Sequence, residues 1–134
     1  MTLDATFIGF GEAGRAFAWP GARAFDRKTD LLAERGAMLA AYAEAGVHGE
    51  EDVATALAKA EIVLCLVTAD QAVVAARDYA PMLRPGALWL DMNSVAPASK
   101  AEAATAIEAA GARYADVAVM APVLPQRRNV PLLV

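Results

Sequence analysis

The chain has 134 residues, 57% of them hydrophobic and much of that alanine, with a formal net charge of −4. This is enough for one domain with a real core. The acidic balance and the lack of a basic stripe with interleaved aromatics argue against a nucleic-acid binder, and no apolar run reaches the roughly 20 residues of a membrane-spanning helix.

Met1–Asp4 show no basic segment leading into an apolar core, so no secretory signal is expected. The single cysteine, Cys65, makes no internal disulfide and fits a cytoplasmic setting. The first predicted strand, with Phe7 and Ile8, runs into Gly9-Phe10-Gly11-Glu12-Ala13-Gly14. This is G-x-G-x-x-G between a strand and a helix. The first glycine allows the tight turn, the second lets a pyrophosphate approach the backbone, and the third lets the helix sit close to the strand. The new helix would add free N–H groups for the phosphates. A plain structural turn would use the same glycines.

A short helix follows over Arg15–Ala18 and stops at Trp19-Pro20-Gly21. The second strand, Ala22–Phe25, ends at Asp26, about 17 residues after Gly9 and near the roughly 20 expected of a carboxylate that takes the adenosine ribose. A solvated turn residue is the plainer alternative. Arg27 and Lys28 follow; two cations there suit the 2′-phosphate of NADP, whereas Asp26 repels it and suits NAD. The balance tips slightly to NAD.

Leu31–Ala45 reads as a helix with Leu31, Leu32, Met38, Leu39 and Tyr42 on a packed face, Gly36 as an interruption and Gly46 as the stop. Val47 begins a short third strand. His48, the only histidine, reads as an exposed loop residue, and nothing at ligand spacing supports a metal site. Glu51–Ala60 is a further helix. Ile62–Val67 is an apolar run expected of a parallel strand covered on both faces, with Cys65 as a buried structural thiol. Thr68-Ala69-Asp70 follow at its carboxyl end, where open α/β sheets place ligands.

Gln71–Leu83 reads as a helix and Ala87–Leu90 as a strand that delivers Asp91-Met92-Asn93-Ser94 to the same edge. The next helix opens at Pro97, with Ser99 and Glu102 as a capping box, and runs to Ala110. One more strand is expected over Ala112–Val119, then a loop from Ala121 to Pro125, a cationic stretch over Gln126–Asn129, and a final strand over Val130–Val134. Strand and helix alternate throughout, which predicts an α/β fold: a Rossmann-type, doubly wound, mostly parallel sheet with helices on both faces.

Four motifs stand in the order of a known family: Phe7–Gly14, Leu66–Asp70, Asp91–Pro97 with Lys100, and Tyr114–Pro122. Together they resemble the β-hydroxyacid dehydrogenase superfamily, which includes 6-phosphogluconate and 3-hydroxyisobutyrate dehydrogenases, and within it the phosphogluconate dehydrogenase NAD-binding branch. The resemblance implies that residues 1–134 are the NAD(P)-binding domain of a larger, two-domain dehydrogenase. Gly9, Phe10, Gly11, Glu12, Ala13 and Gly14 would bind pyrophosphate. Asp26, Arg27 and Lys28 would meet the ribose, and Val67, Thr68 and Ala69 would lie along the cofactor. Asn93 and Ser94 would orient a small-molecule substrate beside the nicotinamide, with Asn93 also near the cofactor; alternatively, one of them starts the helix at Pro97.

The sequence departs from the family at Leu124-Pro125-Gln126, where members carry a serine-glycine-glycine turn. It also lacks the helical domain that supplies the catalytic lysine, and Lys100 is not that residue. The 134-residue chain is therefore expected to bind NAD or NADP without catalysing hydride transfer to a hydroxy acid or related carbonyl compound. A noncatalytic NAD(P) sensor, or a module for another adenosine ligand such as a methyl donor, is the alternative. Val130, Leu132, Leu133 and Val134 are expected to form an exposed edge that favours self-association.

Overall fold

The computed structural model describes residues 4–119 and 132–133. Its sheet has six strands, all parallel, in the order β3-β2-β1-β4-β5-β6. The strands are β1 (Ala5–Ile8), β2 (Arg23–Phe25), β3 (His48–Gly49), β4 (Ile62–Cys65), β5 (Leu88–Asp91) and β6 (Arg113–Asp116). They alternate with α1 (Glu12–Phe17), α2 (Leu32–Ala45), α3 (Val53–Leu57), α4 (Ala72–Tyr79) and α5 (Pro97–Ala109). The predicted doubly wound architecture is therefore present.

Alternation along each strand divides the core into two clusters. Ile8, Phe25, Val63, Cys65 and Trp89 face a core containing Leu57 of α3, Ala76 and Tyr79 of α4, and Ile107 of α5. Phe7 and Ala24 face the other core, with Phe17 of α1 and Met38, Ala41 and Tyr42 of α2. This second cluster reaches β4 and β5 through Leu64 and Leu90, which are only half-buried. β4 is thus fully covered on the face of Val63 and Cys65 and partly covered on the face of Leu64.

α2 is continuous, so Gly36 does not split it. It ends at Gly46, whose φ of 72° is the left-handed conformation a helix stop favours. Its packed face is narrower than predicted: Met38 and Tyr42 are buried, but Leu31, Leu32 and Leu39 are exposed. His48 lies on β3 rather than in a loop, with its side chain exposed.

The region expected as one strand after α5 forms two elements. β6 joins the parallel sheet, while β7 (Ala118–Val119) pairs antiparallel with β8 (Leu132–Leu133) in a second, two-stranded sheet. Of the final strand expected over Val130–Val134, Leu132 and Leu133 are described, and both lie in β8. The expected loop and cationic stretch, and the side chains of the proposed self-association edge, lie outside the described residues.

Candidate functional site

β1 lies between β2 and β4, so the chain leaves the sheet in opposite directions on its two sides. At such a switch point the loops beyond the strands diverge and leave a crevice. A cleft of about 550 Å³ opens there, lined by Gly9, Gly11, Glu12, Ala13, Asp26, Arg27, Lys28, Val67 and Thr68 among others.

Three glycines shape its floor. Gly9 has φ +93°, and a Cβ there would stand 2.1 Å from the Leu66 carbonyl oxygen. A Cβ on Gly14 would stand 2.3 Å from the Gly9 oxygen. Gly11 differs: a Cβ on it would meet nothing within 4 Å. It is the N-cap of α1 without a side-chain capping bond, so the first-turn N–H groups have no intrahelical acceptor. The loop is therefore rigid at its ends and open in its middle. Phe10 is buried beneath it, and Arg15, not singled out from sequence, ties Nε to the Phe10 carbonyl at 3.0 Å.

Asp26 stands on the opposite lip. Its Oδ2 accepts the Phe10 N–H at 2.7 Å and its Oδ1 accepts the Lys28 N–H at 2.9 Å. Arg27 reaches across the cleft, donating from Nη1 to Gln71 Oε1 at 2.6 Å. Gln71 and Tyr79 also line the cleft, and neither was a sequence candidate. Ala69 lies outside the lining, in the turn that follows Thr68.

Asn93 and Ser94 belong to a second cavity, of about 270 Å³, which they share with Met92, Val95, Pro97, Lys100 and Asp116. Ser94 is exposed, whereas Asn93 is 6% exposed and fully engaged. Asn93 Oδ1 accepts the Val67 N–H at 2.7 Å, and its Nδ2 donates to Asp91 Oδ1 at 2.7 Å. Asn93 therefore links the second cavity to the wall of the first.

Behind it lies a polar cluster that sequence reasoning missed. Tyr114 donates its hydroxyl to Asp91 Oδ2 at 2.7 Å. The Lys100 ammonium contacts the Asp91 carbonyl oxygen at 2.9 Å, Asp91 Oδ1 at 3.4 Å and Asp116 Oδ1 at 2.7 Å. Burial and the bond to Asp91 push the Tyr114 phenol well above its ordinary range, so it keeps the proton it donates. Neither Asn93 nor Ser94 starts α5: its N-cap is Ala96, with no side-chain bond. The expected capping box is also absent, because Pro97 opens the helix and places Ser99 inside it; Glu102 pairs with Arg77 at 3.0 Å instead.

Cys65 is fully buried, as expected of a structural thiol. Burial pushes its pKa up to about 12, against an opposing hydrogen bond from Asn93. Ellman's reagent at pH 8 is expected to leave the native thiol untouched and to titrate one thiol after denaturation. The fold retains a proton that the unfolded chain releases from about pH 9, so this thiol's contribution to stability is lost as pH rises from there towards 12. Rapid native labelling would contradict the burial.

The family described as the NAD binding domain of 6-phosphogluconate dehydrogenase matches residues 4–123. The chain belongs to that family. No curated protein matches. A conserved hypothetical protein from Sinorhizobium meliloti 1021 is 37% identical, with a TM-score of 0.90 over 98% of this chain and 46% of its own. The Mycobacterium tuberculosis 3-hydroxyisobutyrate dehydrogenase structure with L-serine is 22% identical, with a TM-score of 0.77 over 92% of this chain and 42% of its own. An imine reductase from Myxococcus stipitatus in complex with NADP+ is 24% identical, with a TM-score of 0.68 over 88% of this chain and 41% of its own.

The last two likenesses show the fold alone. This NAD-binding domain thus spans less than half the length of each of these solved proteins. Among its described residues no helix is long and apolar enough to cross a membrane.

Proposed function

We propose that this domain is the cofactor-binding part of an oxidoreductase that acts on a small hydroxy acid or related carbonyl compound. The observation that carries the reading is the glycine loop. Gly9 and Gly14 are sterically forced, while Gly11 keeps open space above main-chain N–H groups, as a diphosphate requires. Gly9 and Phe10, whose N–H groups are bonded to the Phe25 carbonyl and Asp26 Oδ2, would shape the loop, and Gly11, Glu12, Ala13 and Gly14 would hold the pyrophosphate through their main chain. Asp26, with Arg27 and Lys28, would meet the adenosine ribose, and Val67, Thr68 and Ala69 would follow the cofactor towards Asn93 and Ser94. When bound, a nicotinamide dinucleotide supplies the hydride-transfer chemistry.

The cleft favours NAD over NADP in this reading. Asp26 is fixed at the ribose end, where its charge opposes a 2′-phosphate, and the Arg27 guanidinium is engaged by Gln71. Ser94, an exposed side chain in the second cavity, would meet the substrate, and Asn93 would link that cavity to the cofactor wall through Val67. The proton-handling lysine would come from a helical domain outside these 134 residues.

Titration of the 134-residue chain with NADH and NADPH, followed by cofactor fluorescence, tests the reading. Saturable binding is expected, tighter for NADH, with no turnover of hydroxy acids. Failure of both nucleotides to bind at millimolar concentration, with the fold intact by circular dichroism, would overturn it.

A further inference from the structure

Tyr42 does not line the cleft, yet it touches both segments that form its ribose end. Its ring packs on Phe10 at 5.2 Å between centroids. Its hydroxyl accepts the Asp26 N–H at 2.8 Å and shares a second hydrogen bond with Thr29 Oγ1 at 2.9 Å. Tyr42 is 3% exposed, and Phe10 and Thr29 are fully buried, so the ring contact and the Thr29 bond are shielded from water, while the bond to Asp26 is part-buried.

Asp26 is therefore held at its main-chain N–H by Tyr42, at Oδ2 by the Phe10 N–H and at Oδ1 by the Lys28 N–H. The tyrosine has little freedom of its own. Gly49 lies against it so closely that a Cβ there would stand 2.0 Å from Tyr42 Cδ2. Burial also raises the phenol's pKa, which keeps the hydroxyl protonated at neutral pH.

We propose that Tyr42, seconded by Thr29, is a positioning residue for nucleotide selectivity. Its hydroxyl fixes where the Asp26 carboxylate stands, and so how strongly the cleft prefers a free 2′-hydroxyl to a 2′-phosphate. The proposal rests on the dinucleotide reading above. Removing the hydroxyl frees the Asp26 main chain, so the carboxylate keeps its charge but is less firmly positioned. A carboxylate that wanders is a poorer acceptor for the ribose diol and a weaker barrier to phosphate, so NAD loses more than NADP.

The test compares NADH and NADPH affinities of the 134-residue chain with those of Tyr42→Phe, Thr29→Val and Ile107→Val. Ile107 belongs to the opposite core cluster, away from Tyr42. Tyr42→Phe should weaken NADH roughly five- to tenfold, as loss of one hydrogen bond does, and NADPH clearly less. Thr29→Val should narrow the preference in the same direction by a smaller factor. Ile107→Val should lower the melting temperature and leave the preference unchanged, which separates positioning from general stability.

An unchanged preference in Tyr42→Phe and Thr29→Val overturns the proposal while sparing the dinucleotide reading. Binding of neither nucleotide by the parent chain overturns both. Should the substituted chains fail to fold, hydrogen exchange on the parent chain decides: NADH should protect the Asp26 amide more than NADPH does, and equal protection counts against the proposal.

Discussion

Gly9→Ala is expected to lower the melting temperature by roughly 10 °C or more, whereas Gly11→Ala is expected to leave it unchanged and weaken dinucleotide binding at least tenfold, on the order of 1.4 kcal/mol. The two substitutions add the same methyl group two residues apart, and their surroundings differ completely. At Gly9 the backbone has φ +93°, and the new carbon would sit 2.1 Å from the Leu66 carbonyl oxygen. Neither side yields easily: the Gly9 N–H is bonded to the Phe25 carbonyl at 2.9 Å, and the Leu66 N–H to the Ile8 carbonyl at 2.9 Å. Backbone strain and overpacking each cost on the order of 1–3 kcal/mol. At Gly11, φ is −82°, which any residue adopts, and nothing stands within 4 Å of the added carbon. Alanine there loses less entropy on folding, which offsets its poorer fit at the N-cap of α1. In the proposed binding mode the added methyl group would stand in the path of the pyrophosphate. Thermal melts by circular dichroism and NADH titrations of both variants give the comparison; normal binding by Gly11→Ala would remove the loop from the proposed site.

The features legible in the sequence are those encoded within a few consecutive residues. The glycine loop is one, since its steric demands arise between neighbouring elements in a fixed motif. The apolar run of β4 and the Gly46 helix stop are others. Misreadings came where a neighbour decides. Leu31, Leu32 and Leu39 match a helical stripe, but the contact of α2 with the sheet is satisfied by Met38, Ala41 and Tyr42, three or four residues apart. Gly36 interrupts the pattern on paper, yet it is exposed, and an isolated helical glycine costs only about 1 kcal/mol. Ser99 and Glu102 have the spacing of a capping box, but Pro97 takes the first helical position and shifts the serine inward.

Least legible was the cluster around Asp91. Its members are scattered from Cys65 to Asp116, and only the parallel register that aligns Cys65, Asp91 and Asp116 on adjacent strands brings them together. Tyr42 illustrates a related limit: helical spacing identifies its ring as core, but nothing local signals that its hydroxyl holds Asp26.

Asp91→Ala is expected to cost about 3–5 kcal/mol of folding stability, the range for removing one partner of a buried ion pair. Asp91 is fully buried, and its carboxylate accepts from the Asn93 N–H at 3.1 Å, from Asn93 Nδ2 at 2.7 Å and from the Tyr114 hydroxyl at 2.7 Å, with the Lys100 ammonium at 3.4 Å. Alanine leaves all these donors facing a cavity. Asp91→Asn keeps the volume but replaces one acceptor oxygen with a donor, and its cost should be smaller. Lys100→Met should cost less again. It removes one charge at 11% side-chain exposure, while Asp91 keeps its neutral donors and Asp116, at 60%, remains in water. Urea unfolding at pH 7 should give this order with an unchanged slope, and the Asp91→Ala/Lys100→Met pair should cost less than the sum of its parts. Additive losses, or a cost below about 1 kcal/mol for Asp91→Ala, would mean that solvent already satisfies the cluster. The same variants bear on binding, because Asn93 holds both Asp91 and the Val67 N–H in the cleft wall. Loss of Asp91 releases Asn93 on one side. Dinucleotide affinity should therefore fall in Asp91→Asn under conditions where the fold remains fully populated.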